Sequence, residues 1–351
     1  MKTTNIGICA ALLAAALFGA GTPFAKALLE HTSPWLLAAL LYLGSGLGLG
    51  LVRMVQGAPR VALSGREWKW MSGAVICGGV IGPVLLMSGL DAMPASGASL
   101  LLNAESVFTA LLAWFVFREN FDHRIALGMI AIVAGAIVLA WPVDGTVAIA
   151  SLWPALAVLG ACLAWAMDNN LTRKVSLSDA SWIAMVKGLV AGLTNLVLAA
   201  SMGAVWPATA MLVGAAILGF FSYGASLVLF VIALRHLGSG RTGAYFSVAP
   251  FFGAAIAVLF FGEAFTLPLF AGGVLMAVGV ALHLSESHAH AHSHMPLEHT
   301  HEHEHGPGDS HHEHLHDELV APGTRHSHGH SHRPLSHSHP HYPDMHHRHE
   351  H

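Results

Sequence analysis

Between residues 6 and 283 the chain is a series of apolar stretches of about twenty residues, parted by short charged or Pro- and Gly-marked links. A stretch of that length crosses the hydrocarbon core of a bilayer as one helix, and in hydrocarbon only helices and closed barrels satisfy their own backbone. The stretches run Ile6 to Leu28, Ser33 to Val52, Trp70 to Leu90, Ala95 to Phe117, Ile125 to Trp141, Leu152 to Leu171, Trp182 to Met202, Thr209 to Leu234, Gly243 to Phe261 and Leu267 to His283. With 10% charged residues, against about 25% in a soluble domain, the expected class is an all-α membrane protein of ten transmembrane helices.

The loops carry an independent signal. If ten spans alternate, Lys2, Arg53, Arg60, Arg66, Lys69, Arg118, Arg124, Arg173, Lys174, Arg235 and Arg241 all fall on one side. The opposite loops, near Glu30, Asp91, Asp144, Val205 and Glu263, hold no Lys or Arg. The positive-inside rule makes the first side cytoplasmic, with both termini there. Trp35, Trp68, Trp70, Trp141, Trp153, Trp182 and Trp206 lie near predicted span ends, where indole favours the interface. The first stretch, preceded by Lys2, imitates a signal peptide but is long enough to span, so a retained first helix is expected. Cys9, Cys77 and Cys162 sit inside apolar spans without CxxC pairing, as buried packing residues do.

An internal repeat runs through this pattern. Glu119, Phe121, Gly128 and Gly135 recur as Glu263, Phe265, Gly272 and Gly279, each 144 residues on. One repeat unit contains five spans, an odd number, so the second copy enters the membrane inverted. Expected domains are residues 1–141 and 152–284 as two inverted five-helix repeats, followed by a disordered tail over 285–351. Gly44, Gly46, Gly48 and Gly50 form overlapping GxxxG patterns, and Gly128 and Gly135 are a heptad apart; both suit close helix packing.

Phe18-Gly19 with Pro23-Phe24 and Lys26, the run Ser106 to Trp114 leading to Arg118-Glu119, and Pro250 leading to Phe261-Gly262-Glu263 resemble the EamA-like permeases of the drug/metabolite transporter superfamily. The resemblance covers Ile6 to about His283. Asp168-Asn169-Asn170-Leu171-Thr172-Arg173-Lys174 is similar to one branch of it. Ser106, where the family usually has the proline kept here as Pro250, and Leu41, near the usual second-span arginine, depart from the family pattern. The resemblance implies a ten-helix secondary carrier, often an exporter of amino acids or other small metabolites.

Ionisable side chains at membrane depth are costly and mark function or pairing. Glu105 lies near the middle of its span, Asp168 and Lys187 lie towards the cytoplasmic side of theirs, and Lys26 lies near a span end, where it can snorkel. Lys187, Ala191 and Asn195 share a helix face, as do Asp168, Asn169 and Trp165. The expected substrate-binding residues are Asn103, Glu105, Asp168, Asn169, Asn170, Lys187 and Asn195, with Lys187 attracting a carboxylate and an acidic residue binding an amine or a coupling proton. In the competing reading, Lys187 pairs with Asp168 or Glu105 and only locks the two halves. Glu119 and Glu263, repeated at span ends, suit a cap or loop anchor.

The tail holds 23 of the 27 histidines. His288, His290, His292 and His294; His299, His301, His303 and His305; His311, His312, His314 and His316; and His326, His328, His330 and His332 form four groups, with a fifth from His337 to His351. Prolines between them argue against long helices or strands. Neutral imidazole binds zinc, nickel, cobalt or copper, so the tail is expected to be a multi-site chelator. The body's own His31, His123, His236 and His283 lie at span ends or in loops, away from a translocation site.

Three readings follow: a metabolite or amino-acid exporter in the cell membrane, a divalent nickel, cobalt or zinc efflux carrier fed by the tail, or a metal-responsive sensor without transport. No nucleophile, phosphate loop or catalytic metal motif points to an enzyme or a required cofactor. The expected partners are the lipid bilayer, a small-molecule substrate and metal ions, with a homodimer left open and no nucleic acid.

Overall fold

The computed structural model describes residues 2–59, 61, 63–117, 123–141, 149–172, 175, 179–230, 232–233, 242, 245–284, 289–294, 297–303, 326–332 and 335–340. They belong to two units, a helical one within Met1–Glu286 and a tail unit, Ser287–Tyr342.

The helical unit begins with α1 (Lys2–Leu29) and α2 (Pro34–Val55). Ser33 caps α2 by accepting from the Leu36 amide, and Pro34 supplies a first-turn residue with no amide to satisfy. The third apolar stretch is one path in three parts: α3 (Gly65–Ala74), a π-helical segment Val75–Ile81, and α4 (Gly82–Asp91). After α5 (Ala95–Leu101), α6 (Ala104–Phe117) and α7 (His123–Ala140) come α8 (Ile149–Thr172), α9 (Ala180–Ser201) and α10 (Thr209–Gly219). A second π segment, Phe220–Ala225, follows α10; α11 (Ala249–Phe261) and α12 (Leu267–Leu284) complete the unit.

Among the described residues, seven helices are long and apolar enough to cross a membrane, and Ala126–Ala140, Ala249–Phe261 and Leu267–Leu282 are shorter apolar helices. Their outward faces are apolar: Ile130, Val133 and Ile137 on α7, and Val190, Leu193 and Val197 on α9, are all exposed at spacings of three or four residues. Such stripes on helix after helix have the lipid-facing pattern, since a soluble protein rarely exposes so much contiguous apolar surface. Trp68, Trp141, Trp153 and Trp206 are exposed near helix ends, as interfacial indoles are.

The stretch from Ala95 to Phe117, expected to be one helix, is two. It breaks at Leu102-Asn103, where the backbone bonds tighten to three-residue spacing: Leu102 N–H to Ser99 O, Asn103 to Leu100, Glu105 to Leu102 and Ser106 to Asn103. The Asn103 amide donates to Leu100 O at 3.0 Å and Ser106 Oγ donates to Asn103 O at 2.7 Å, so local side chains compete with the helical ladder. The turn Ser247-Val248 ahead of α11 lies 145 residues on, and the second π segment starts 145 residues after the first.

Glycines set the closest helix pairs. A Cβ on Gly46 would enter the backbone of Gly188 and Leu189, Gly192 lies against Leu43, and Gly50 faces Met185, so α2 and α9 run antiparallel. In the same way Gly135 meets Gly272 and Gly279 meets Gly128, making α7 and α12 antiparallel. The four repeated glycines thus pack against one another as small residues do between membrane helices.

The tail unit contains four short strands: β1 (Ala289–His294), β2 (Leu297–His303), β3 (His326–His332) and β4 (Leu335–Pro340). β1 pairs antiparallel with β4, and β2 with β3. In these four segments histidine alternates with small or polar residues, the two-residue period of an extended chain. His288, His305, His311, His312, His314 and His316 lie outside the described residues.

Candidate functional site

The π segment in the third span widens the helix at its two glycines and releases carbonyls from the ordinary ladder. Donors from three other helices take them. The Tyr42 hydroxyl of α2 donates to Gly78 O at 2.6 Å, and Trp165 Nε1 of α8 donates to the same oxygen at 3.0 Å. Asn195 Nδ2 of α9 donates to Gly79 O at 2.9 Å. Asn195 is fully buried, and its Oδ1 has no partner among the described residues.

Beside this junction lies an ion pair. Lys187 Nζ of α9 donates to both Asp168 oxygens of α8, at 2.6 and 2.5 Å, and faces Thr172 Oγ1 at 3.4 Å. Thr172 Oγ1 in turn donates to Asp168 Oδ1 at 2.8 Å. The two side chains are 17% and 9% exposed, so the pair is largely out of reach. Asp168 fits because Gly78 has no side chain; the carboxylate fills the space a Cβ would take.

One residue on, Asn169 Nδ2 donates to Glu105 Oε1 at 2.7 Å, linking α8 to the first turn of α6 directly after the break. Asn169 is exposed although it lies on the helix face of buried Cys162 and Trp165; exposed Leu163 and Met167 lie on another face of the helix. Glu105 is half-buried, with Phe108, Thr109 and Leu112 on its face.

Glu105, Asp168, Asn169 and Lys187 therefore meet in one place, with Asn195 joined through Gly79. Asn103 and Asn170 do not. Asn103 is buried against Leu100 O and Met276 Sδ, and Asn170 Nδ2 returns to Ala166 O of its own helix.

The model of the EamA-like transporter family matches residues 5–141 and 152–285, nearly the whole apolar body. The chain belongs to the EamA-like transporter family. This is a membrane transporter family, and the apolar helices above fit it. An uncharacterized transporter of Methanothermobacter thermautotrophicus is 26% identical over 290 residues, spanning 78% of this chain and 84% of that protein. A solved crystal structure of a protein superposes with a TM-score of 0.59 at 19% identity, covering 80% of this chain and 95% of the other, a likeness of fold alone. In this EamA-family member the candidate site lies where the broken fourth span and the π-containing third span meet α8 and α9.

Several polar roles in this EamA chain were not legible as such. Tyr42, Trp165 and Thr172 were not among the expected site residues. Lys26, read as a snorkelling side chain, donates to Leu90 O and Asp91 O at 2.8 Å and caps the end of α4. Glu263 is an anchor as its repetition implied: its carboxylate accepts from the Ala95 and Ser96 amides at 2.6 and 2.8 Å, capping α5 from the end of α11. Its repeat partner Glu119 lies outside the described residues.

Arg53, counted in the sequence only as a cytoplasmic charge, is buried. It pairs with Asp179 at 2.9 Å and also donates to Ser181 Oγ and Pro59 O. Asp179 caps α9, accepting from the Ser181 and Trp182 amides. Partial burial pushes its carboxyl up, but hydrogen bonds from Ser181, Arg53 and Trp182 and the Arg53 charge together outweigh that and hold it at about 2. A depressed carboxyl stabilises the fold above its unfolded value of about 3.9 and loses that contribution as pH falls towards about 2. Asp179→Asn is expected to cost about 1 kcal/mol at pH 7, because the side chain is a third exposed and screened. The deficit relative to the unmodified protein should vanish between about pH 4 and pH 2 in melting curves of the solubilised proteins.

Proposed function

We propose that this protein is a secondary carrier exporting a small metabolite or amino acid across the cell membrane, and that it is not an enzyme. In this reading ten transmembrane helices form two inverted five-helix repeats, both termini are cytoplasmic, and the two halves expose one central site alternately. The antiparallel mating of Gly128 and Gly135 with their own repeats Gly279 and Gly272 supports the inversion, as does the recurrence of a π segment and a helix break at equal offset. The observation that carries the site is the convergence of Glu105, Asn169, Asp168 and Lys187 at membrane depth, next to a discontinuous helix.

Metabolite profiling of cells with and without the protein gives the substrate. With that compound in proteoliposomes, Glu105→Gln should lower flux at least tenfold with no change in melting temperature. Flux at the unmodified rate, with and without a pH gradient, would remove Glu105 from both the substrate and the proton role.

The alternation of histidine along the tail favours a second reading, in which the tail binds zinc, nickel, cobalt or copper and feeds divalent metal efflux. Deleting residues 285–351 separates the two. Loss of nickel, cobalt or zinc resistance with unchanged metabolite export supports metal efflux. Unchanged metal resistance leaves the tail a buffer beside a metabolite carrier.

A further inference from the structure

We infer that the group this site recognises on its substrate is a protonated amine, held by Glu105, and that a carboxylate is not required; the inference rests on the transport reading above. The choice turns on which charged side chain has bonding capacity left. An ammonium has three donors. Lys187 directs its own at the two oxygens of Asp168 and at Thr172 Oγ1, with both members of the pair largely buried. A substrate carboxylate reaching Lys187 would have to displace Asp168 and leave that carboxylate uncompensated in the interior.

Glu105 is in the opposite state. An ionised carboxylate offers about four acceptor positions, and among the described residues the Asn169 amide, a neutral group, is its side-chain donor. With Lys187 matched by Asp168, Glu105 in its ionised form is the cluster's uncompensated charge among the described residues. Glu105 is half-buried and its donor Asn169 is exposed, so the carboxylate stays within reach of a ligand, and Phe108 stands one turn further along its helix. A cation with an apolar body satisfies both features: the ammonium compensates Glu105 and the body lies along the aromatic and aliphatic wall. An anion meets Glu105 itself at the mouth of the site.

The experiment uses three probes that share one skeleton: 2-phenylethylamine, phenylalanine and 3-phenylpropionate. Each is titrated calorimetrically into the full-length protein in detergent micelles. The amine and the amino acid are expected to bind with Kd values within tenfold of each other, and the acid at least a hundredfold more weakly. Glu105→Gln should weaken amine binding at least tenfold, with its folding checked by the melting curve. If that variant does not fold, Asn169→Ala, which removes the donor positioning Glu105, should weaken the amine about threefold, and the probe ranking on the unmodified protein stands without any variant. Binding of the acid as tightly as the amine, amine binding unchanged in Glu105→Gln, or no binding by any probe overturns the amine assignment. Export of a metabolite by cells is measured separately, so a carrier that transports but prefers the acid loses this inference and keeps the transport reading.

Discussion

Lys187→Met should destabilise the protein by about 3–5 kcal/mol and abolish transport, whereas pairing it with Asp168→Asn should recover most of the stability. Asp168 is held by two ammonium hydrogen bonds and one hydroxyl, in a side chain only 9% exposed. Removing the cation leaves a carboxylate with one neutral donor, and breaking a buried pair from one side costs about that much because the survivor is uncompensated. Neutralising both partners removes the penalty together with the attraction, so the double variant should lie well above the sum of the single ones. Melting of the detergent-solubilised proteins, followed by tryptophan fluorescence, gives the four corners of the cycle. Additive single effects would mean that Lys187 and Asp168 do not act as a pair.

The pair is the Lys187–Asp168 contact that the locking alternative named. Depth and spacing placed Lys187 and Asp168 in one region but could not say whether the ammonium was spare, because that depends on a few tenths of an ångström between helices. The pair joins α8 to α9, both in the second half of the chain. Local period and charge asymmetry made the apolar helices and the repeat legible, since lipid imposes length and polarity on every span. They could not reveal the break at Leu102-Asn103, because Leu-Leu-Asn-Ala is compatible with a continuous helix until Asn103 turns its amide onto Leu100 O. The π segment was hidden for a related reason: Gly78-Gly79 reads as generic small-residue packing, and only Tyr42, Trp165 and Asn195 arriving from other helices make a widened turn stable. A buried indole N–H needs a partner, and Trp165 finds it at Gly78 O.

The second large effect should come from Gly78 itself. In Gly78→Val the new side chain would occupy the volume now filled by the Asp168 carboxylate, on a helix whose backbone at that point is held by two donors to its carbonyl. The conflict has no inexpensive escape. Moving the bulge loses the Tyr42 and Trp165 bonds, each contributing about 1 kcal/mol, and moving Asp168 separates it from Lys187 in the interior. We therefore expect Gly78→Val to lose at least about 3 kcal/mol and to eliminate flux, while Gly78→Ala, with a single methyl, already lowers both. Gly65→Ala is the control on the same span, since nothing lies within 4 Å of a Cβ there; as its position opens a helix, the effect should be within about 0.5 kcal/mol. Melting curves and flux measured side by side test the point. A Gly78→Val protein as stable and active as Gly65→Ala would show that the Asp168 carboxylate does not need the seat that Gly78 leaves for it.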